Sequence, residues 1–120
     1  MLNNVVLVGR LTKNVEKKEI ENGKETAIII LAVPRNFKNA DGEYETDFIS
    51  CKLWNPIASN VVKYCKKGDI IGVKGRLQTQ ATTNDEGFQN GYELQIIAEK
   101  VTFLSNNSEK INKEINNENN

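Results

Sequence analysis

Phe48, Ser50, Lys52 and Trp54 recur at every second position near the middle of the chain. Flat rings interleaved with a cation suit one kind of chemistry. The rings stack on bases, and the ammonium group neutralises phosphate. The residues needed for catalysis are missing by comparison. The chain has no histidine, which removes every histidine-based triad. Cys51 and Cys65 stand apart with no CxxC spacing, so a zinc site is not expected and both read as buried, reduced thiols. There is no glycine-rich phosphate loop and no pair of carboxylates on one face of a cleft. A binding protein without cofactor or metal is expected, not an enzyme.

The element that must carry these four residues is a strand over 45–54, because strand side chains alternate between two faces. Asp47, Ile49, Cys51 and Leu53 then fall on the other, mostly apolar face. A second reading buries both faces, as at the centre of a sandwich, and this run alone does not separate the two. A first strand over 3–12 puts Val5, Leu7, Gly9 and Leu11 on one face and Val6, Val8, Arg10 and Thr12 on the other. Gly9, in mid-strand, marks a bend or a close backbone approach. Residues 13–21 read as an irregular edge or short strand, and Asn22-Gly23 as a tight hairpin. A second long strand over 24–34 alternates Ala27, Ile29, Leu31 and Val33 against Ile28, Ile30 and Ala32. Pro34 then ends regular pairing or confines it to an edge. A polar loop over 35–43, turning at Asp41-Gly42, carries Arg35, Phe37 and Lys38. Phe37 can serve a ligand or simply anchor the loop.

Asn55-Pro56 reads as a helix start. Ile57, Ala58, Val61, Val62 and Cys65 follow at helical spacing, and Gly68 closes the element. Lys63, Lys66 and Lys67 suit the negative end of the helix dipole and need no further role. A fourth strand over 69–80 sets Ile71, Val73, Gly75 and Leu77 against Lys74, Arg76, Gln78 and Gln80. The fifth, over 92–104, changes phase between Ala98 and Val101, which predicts a β-bulge.

With 120 residues, the chain makes one domain. Its formal net charge is zero, with 14 Lys/Arg against 13 Asp/Glu in residues 1–104. An electrostatic footprint must therefore come from clustering and not from the total. No apolar run reaches the length of a membrane span and no signal-like start is present, so a cytoplasmic setting is expected. Seven of the sixteen residues over 105–120 are asparagine. That composition cannot build a core, and a disordered tail following a domain of residues 1–104 is expected.

Three strands, a helix and two more strands, with glycines at the bends, is the order of an OB-fold, a five-stranded Greek-key barrel. This is an all-β class with one helix, and its ligand face centres on the second and third strands. The order favours an outward role for Phe48 and Trp54. The chain also resembles the bacterial and phage single-stranded DNA-binding protein family. The likeness lies in Leu2–Thr12, Leu31–Arg35, Asp47–Trp54, Lys67–Asp69, Val73–Thr79 and Ala98–Leu104, all in one register. The resemblance implies an OB-fold that assembles as a homotetramer and wraps single-stranded DNA without sequence preference in replication, recombination and repair. Carried over by position, the stacking rings fall on Phe37, Phe48 and Trp54. The phosphate-binding cations fall on Arg10, Arg35, Lys52, Lys74 and Arg76, with Lys38 added from the loop cluster. Val6 and Val8, two outward valines, are expected at a subunit interface.

The chain departs from the family pattern in four places, one of them Asn14-Val15-Glu16, which replaces the usual Asp-Pro-Glu turn. Gln78–Thr82 stands where many members carry arginines followed by an aromatic, so one stacking platform is missing and weaker wrapping is expected. Ile28 and Ile30 replace small polar residues. The acidic tail with its Pro-Phe tip, through which the family docks replication and repair enzymes, has no counterpart in 105–120: either the sequence is truncated or the protein does not recruit partners that way, and such docking is in doubt. The alternative function is an OB module of primosomal or tRNA-binding type, acting through partner proteins or structured RNA.

Overall fold

The structure, a computed structural model, describes residues 1–105. Strand β1 (Val5–Leu11) is followed by a short β2 (Lys17–Glu19), a single 3-10 turn (Glu21–Gly23) and β3 (Glu25–Lys38). Then come β4 (Tyr44–Trp54), helix α1 (Ile57–Tyr64), β5 (Ile70–Thr83) and β6 (Gln89–Ser105). The sheet runs β1-β5-β6-β4-β3-β2, and a further β1–β3 pairing closes it. The five long strands make the OB barrel; β2 is an extra ribbon on the outer edge of β3. All pairings are antiparallel except β4–β6, which is parallel.

The core follows the predicted alternation. Leu11, Ile29, Leu31, Cys51, Leu53, Ile71 and Val73 are sealed inside, with Ala58 and Val61 of α1 closing one end. Each large apolar side chain buried this way contributes about 1.5–3 kcal/mol. The barrel is narrow enough that two positions admit no side chain. A Cβ on Gly9 would meet the Ala32 carbonyl oxygen at 2.9 Å, and one on Gly75 would meet that of Ile97 at 2.2 Å. The close approach expected at Gly9 is present, and Gly75 sits beside the predicted bulge. There Lys74 pairs with Lys100 but Gly75 pairs with Ala98, leaving Glu99 as the extra residue.

Three boundaries differ from expectation. Pro34 still pairs with Thr46; register breaks only beyond it, and β3 runs on to Lys38 as one arm of a long hairpin. At the helix start Pro56 occupies the N-cap, and Asn55 caps through its side chain, whose Oδ1 accepts from the Ser59 N–H at 3.0 Å. The helix ends at Tyr64, so Gly68 serves instead the turn into β5, where its φ is +95° and its N–H donates to the Leu11 carbonyl. The β5–β6 hairpin also outruns the barrel. Leu77 and Leu94 keep the inward phase yet lie exposed, because no opposite strand reaches them. The predicted tail, beyond Ser105, lies outside the described residues.

Candidate nucleic-acid interface

Strand β4 builds the site because its two faces do different work. Cys51 and Leu53 are fully buried, which fixes Phe48, Ser50, Lys52 and Trp54 on the outer face. Phe48 is 68% exposed. Trp54 is partly covered, and the Lys52 ammonium lies 4.9 Å from the centre of its ring.

The register extends this row sideways. Phe48 pairs with Ala32 of β3, and Ala32 pairs with Arg10 of β1, so Arg10 lies in the same cross-strand row as Phe48. Its guanidinium also donates to the Gly68 carbonyl. Lys52 pairs with Ile28 on one side and with Ile97 of β6 on the other, and Ile97 pairs with Arg76 of β5. Arg76 therefore sits two strands from Lys52, about 10 Å at the usual strand spacing. It makes a loose 3.7 Å pair with Glu99 and donates to the Gln78 Oε1 at 3.1 Å. A shallow cleft of about 110 Å³ lies in this region, between Ile28, Ser50 and Lys52 on one side and Glu93, Leu94 and Gln95 on the other. A larger hollow of about 550 Å³ beside Lys13, Asn14 and Lys18 meets the first at Ile28 and is also lined by Thr26, the cross-strand partner of Trp54.

Two of the predicted cations are placed differently. Arg35 is committed to Asp47, with Nη2 donating to Oδ1 at 2.9 Å and Nε to Oδ2 at 3.1 Å, while Nη1 bonds Glu45. Hydrogen bonding to Arg35 holds the Asp47 carboxyl below its ordinary value, and Asp47 raises that of the guanidinium. Lys74 pairs in register with Val6 on one side and Lys100 on the other, so the fold does not bring it to the ring row. Among the described residues, Arg10, Lys38, Lys52 and Lys74 have no carboxylate partner.

Phe37 is 60% exposed and lies on the β3 arm, inside the stretch where register with β4 is lost. The sequence pattern missed other exposed rings. Tyr44 opens the β4 row and is 61% exposed. Phe88 and Tyr92, on the return side of the β5–β6 hairpin, are as exposed as Phe48. They place aromatics on the arm where Gln78–Thr82 lacks them. Alternation from Trp54 back through β4 could have found Tyr44; nothing in the spacing of Phe88 and Tyr92 separated them from ordinary turn residues.

Val6 and Val8, 73% and 52% exposed, point outward from β1. Cys51 and Cys65 are free, buried thiols, each pushed up to about 11, chiefly by burial. Among the described residues no three His, Cys, Asp or Glu side chains gather as a metal site, and no helix is long and apolar enough to cross a membrane.

Comparison with known proteins fits this geometry. Residues 2–104 match the Single-strand binding protein family. The chain is similar to Single-stranded DNA-binding protein B of Bacillus subtilis, at 45% identity over 87% of this chain and 91% of the relative. It is 44% identical to Single-stranded DNA-binding protein 1 of Lactococcus lactis over 89% of this chain and 71% of that one. Among solved structures it resembles a deletion mutant of the single-stranded DNA binding protein from Thermus aquaticus. The TM-score is 0.71 and the identity 25%, over 87% of this chain and 51% of that one.

Proposed function

The chain belongs to the single-strand binding protein family, and from that membership we propose that it binds and protects single-stranded DNA without sequence preference during replication, recombination and repair. The role is binding, with no reaction. The observation that carries the reading is the outer row of β4, with exposed Phe48 and a Lys52-backed Trp54. Rings stack on any base, and the nearby cations Arg10, Lys52 and Arg76 suit a backbone tracked by charge. Phe37 and Lys38 extend this surface along the β3 arm.

The protein acts as a homo-oligomer, a tetramer by family likeness, in the bacterial cytoplasm. Val6 and Val8 form the first interface, since two exposed valines on one strand are a pairing liability until another chain covers them. Lys74, beside Val6 in register, belongs to that surface and not to the strand's path.

A gel shift on poly-dT, competed with duplex DNA and with tRNA, tests the function. Retained binding against both competitors is expected. Displacement by tRNA would favour a structured-RNA module instead.

A further inference from the structure

We propose that Tyr44, backed by Lys38, is a further stacking subsite for a base of the bound strand, set at the tip of the β3–β4 arm. The inference rests on the single-stranded DNA reading above and extends the same surface.

The phase of β4 carries the first part of the argument. Between the pairs Pro34–Thr46 and Lys38–Tyr44, β3 advances four residues while β4 advances two. The two extra residues lie on β3, so β4 alternates unbroken from Trp54 to Tyr44. Tyr44 thus projects from the same face as Phe48, Lys52 and Trp54. Glu45 and Asp47, whose charge would repel phosphate, project from the opposite face and are held there by Arg35.

The second part is chemical. The Lys38 ammonium lies 5.8 Å from the centre of the Tyr44 ring, within cation–π reach. The row therefore begins and ends on the same unit, a ring with a lysine over one face, and the Tyr44 ring is exposed. In both units the lysine has no carboxylate partner among the described residues. A base stacked on the ring would bring its phosphate near that ammonium.

The third part is rigidity. The Asn39 Oδ1 accepts from the Asp41 and Glu43 N–H groups at 2.9 and 3.0 Å, and the Asn39 N–H donates to the Glu43 carbonyl at 2.8 Å. The tip next to Tyr44 is ordered before any ligand arrives, which lowers the cost of binding. The eleven residues of strand from Tyr44 to Trp54 span about 33 Å. At about 3.4 Å per nucleotide of a stacked strand this is about ten nucleotides, inside the range of about 4–16 known for one OB fold.

The test uses the whole protein and fifteen-nucleotide dT carrying single 5-iodouracil substitutions. Light-induced crosslinks should map to Tyr44 as well as to the Phe48 and Trp54 region. Tyr44→Ala should weaken dT binding about 5- to 150-fold, the effect of losing one stack. Its melting temperature and the salt dependence of binding should stay unchanged. Tyr44→Phe should retain most of the affinity, and Lys38→Ala should lower the salt dependence. Unchanged affinity in Tyr44→Ala with no crosslink at Tyr44, while dT still quenches Trp54, overturns this subsite and leaves the function standing. Failure of the unaltered protein to bind dT overturns both.

Discussion

Arg35 and Asp47 clasp each other in a two-point fork at the neck of the β3–β4 hairpin, 2.9 and 3.1 Å long. The fork stands where β3 drops out of register with β4, so it steadies the arm across the gap in the ladder between Pro34 and Lys38. Arg35 reads in the sequence as a phosphate contact, and in the fold its charge is shared with two carboxylates, Asp47 and Glu45. Charge type is visible in a sequence; which carboxylate lies across a hairpin is not.

This fork has a pH signature. Asp47 is depressed in the folded protein from an ordinary value of 3.8. Its contribution to stability is therefore fully present above that value and is lost as the pH falls through the lower, folded value. An NMR titration of the Asp47 carboxyl should show an inflection below 3.8, and Arg35→Ala should move it up. An inflection that ignores the substitution would mean that the fork does not form in solution.

Trp54 is the only tryptophan, so its emission reports on the ring row directly. Oligo-dT should quench it, and duplex DNA should do so much less. Trp54→Ala should cost about 1–3 kcal/mol of binding and less folding stability than the roughly 3–5 kcal/mol of a core Trp→Ala change. Phe or Tyr at this position should retain most of the affinity. A large loss of stability without quenching would make Trp54 an anchor for the helix instead.

The cations should divide into two groups. Removing one phosphate contact lowers the salt slope of single-strand binding by about 0.7. Arg10→Ala, Lys52→Ala and Arg76→Ala should each show this and weaken all sequences alike. Lys74→Ala and Arg35→Ala should leave the slope nearly unchanged, because one lies beside Val6 and the other is neutralised. Equal effects at all five positions, measured by titration at several salt concentrations, would refute this division.

Val6→Lys should loosen the assembly, as read by light scattering at micromolar concentration, and leave the isolated fold intact because Val6 is exposed. A monomer in the unaltered protein would remove the interface altogether.

The barrel was legible because its strands announce both faces. Cys51 and Leu53 read as core and are; the phase change after Ala98 read as a bulge and is one, at Glu99. Alternation says only inward or outward, however, and not which side of a closed barrel. Lys74 and Lys52 are both outward, but Lys74 shares its cross-strand row with Val6 and Lys100, whereas Arg76 shares that of Lys52 through Ile97. Tyr44 was hidden for a different reason. A turn signal at Asp41-Gly42 drew the loop boundary too late, and a strand one residue shorter ends before the ring.

Since β4 holds its rings and its core residues on alternate positions, the site and the barrel share one reading frame. A single inserted residue between Ser50 and Trp54 would turn Lys52 inward and a core residue outward, and would lose folding and recognition together. Such a strand tolerates exchange of one flat ring for another but not a change of length. Adjustment to a ligand must then fall to the two hairpin arms, where insertions leave the frame untouched.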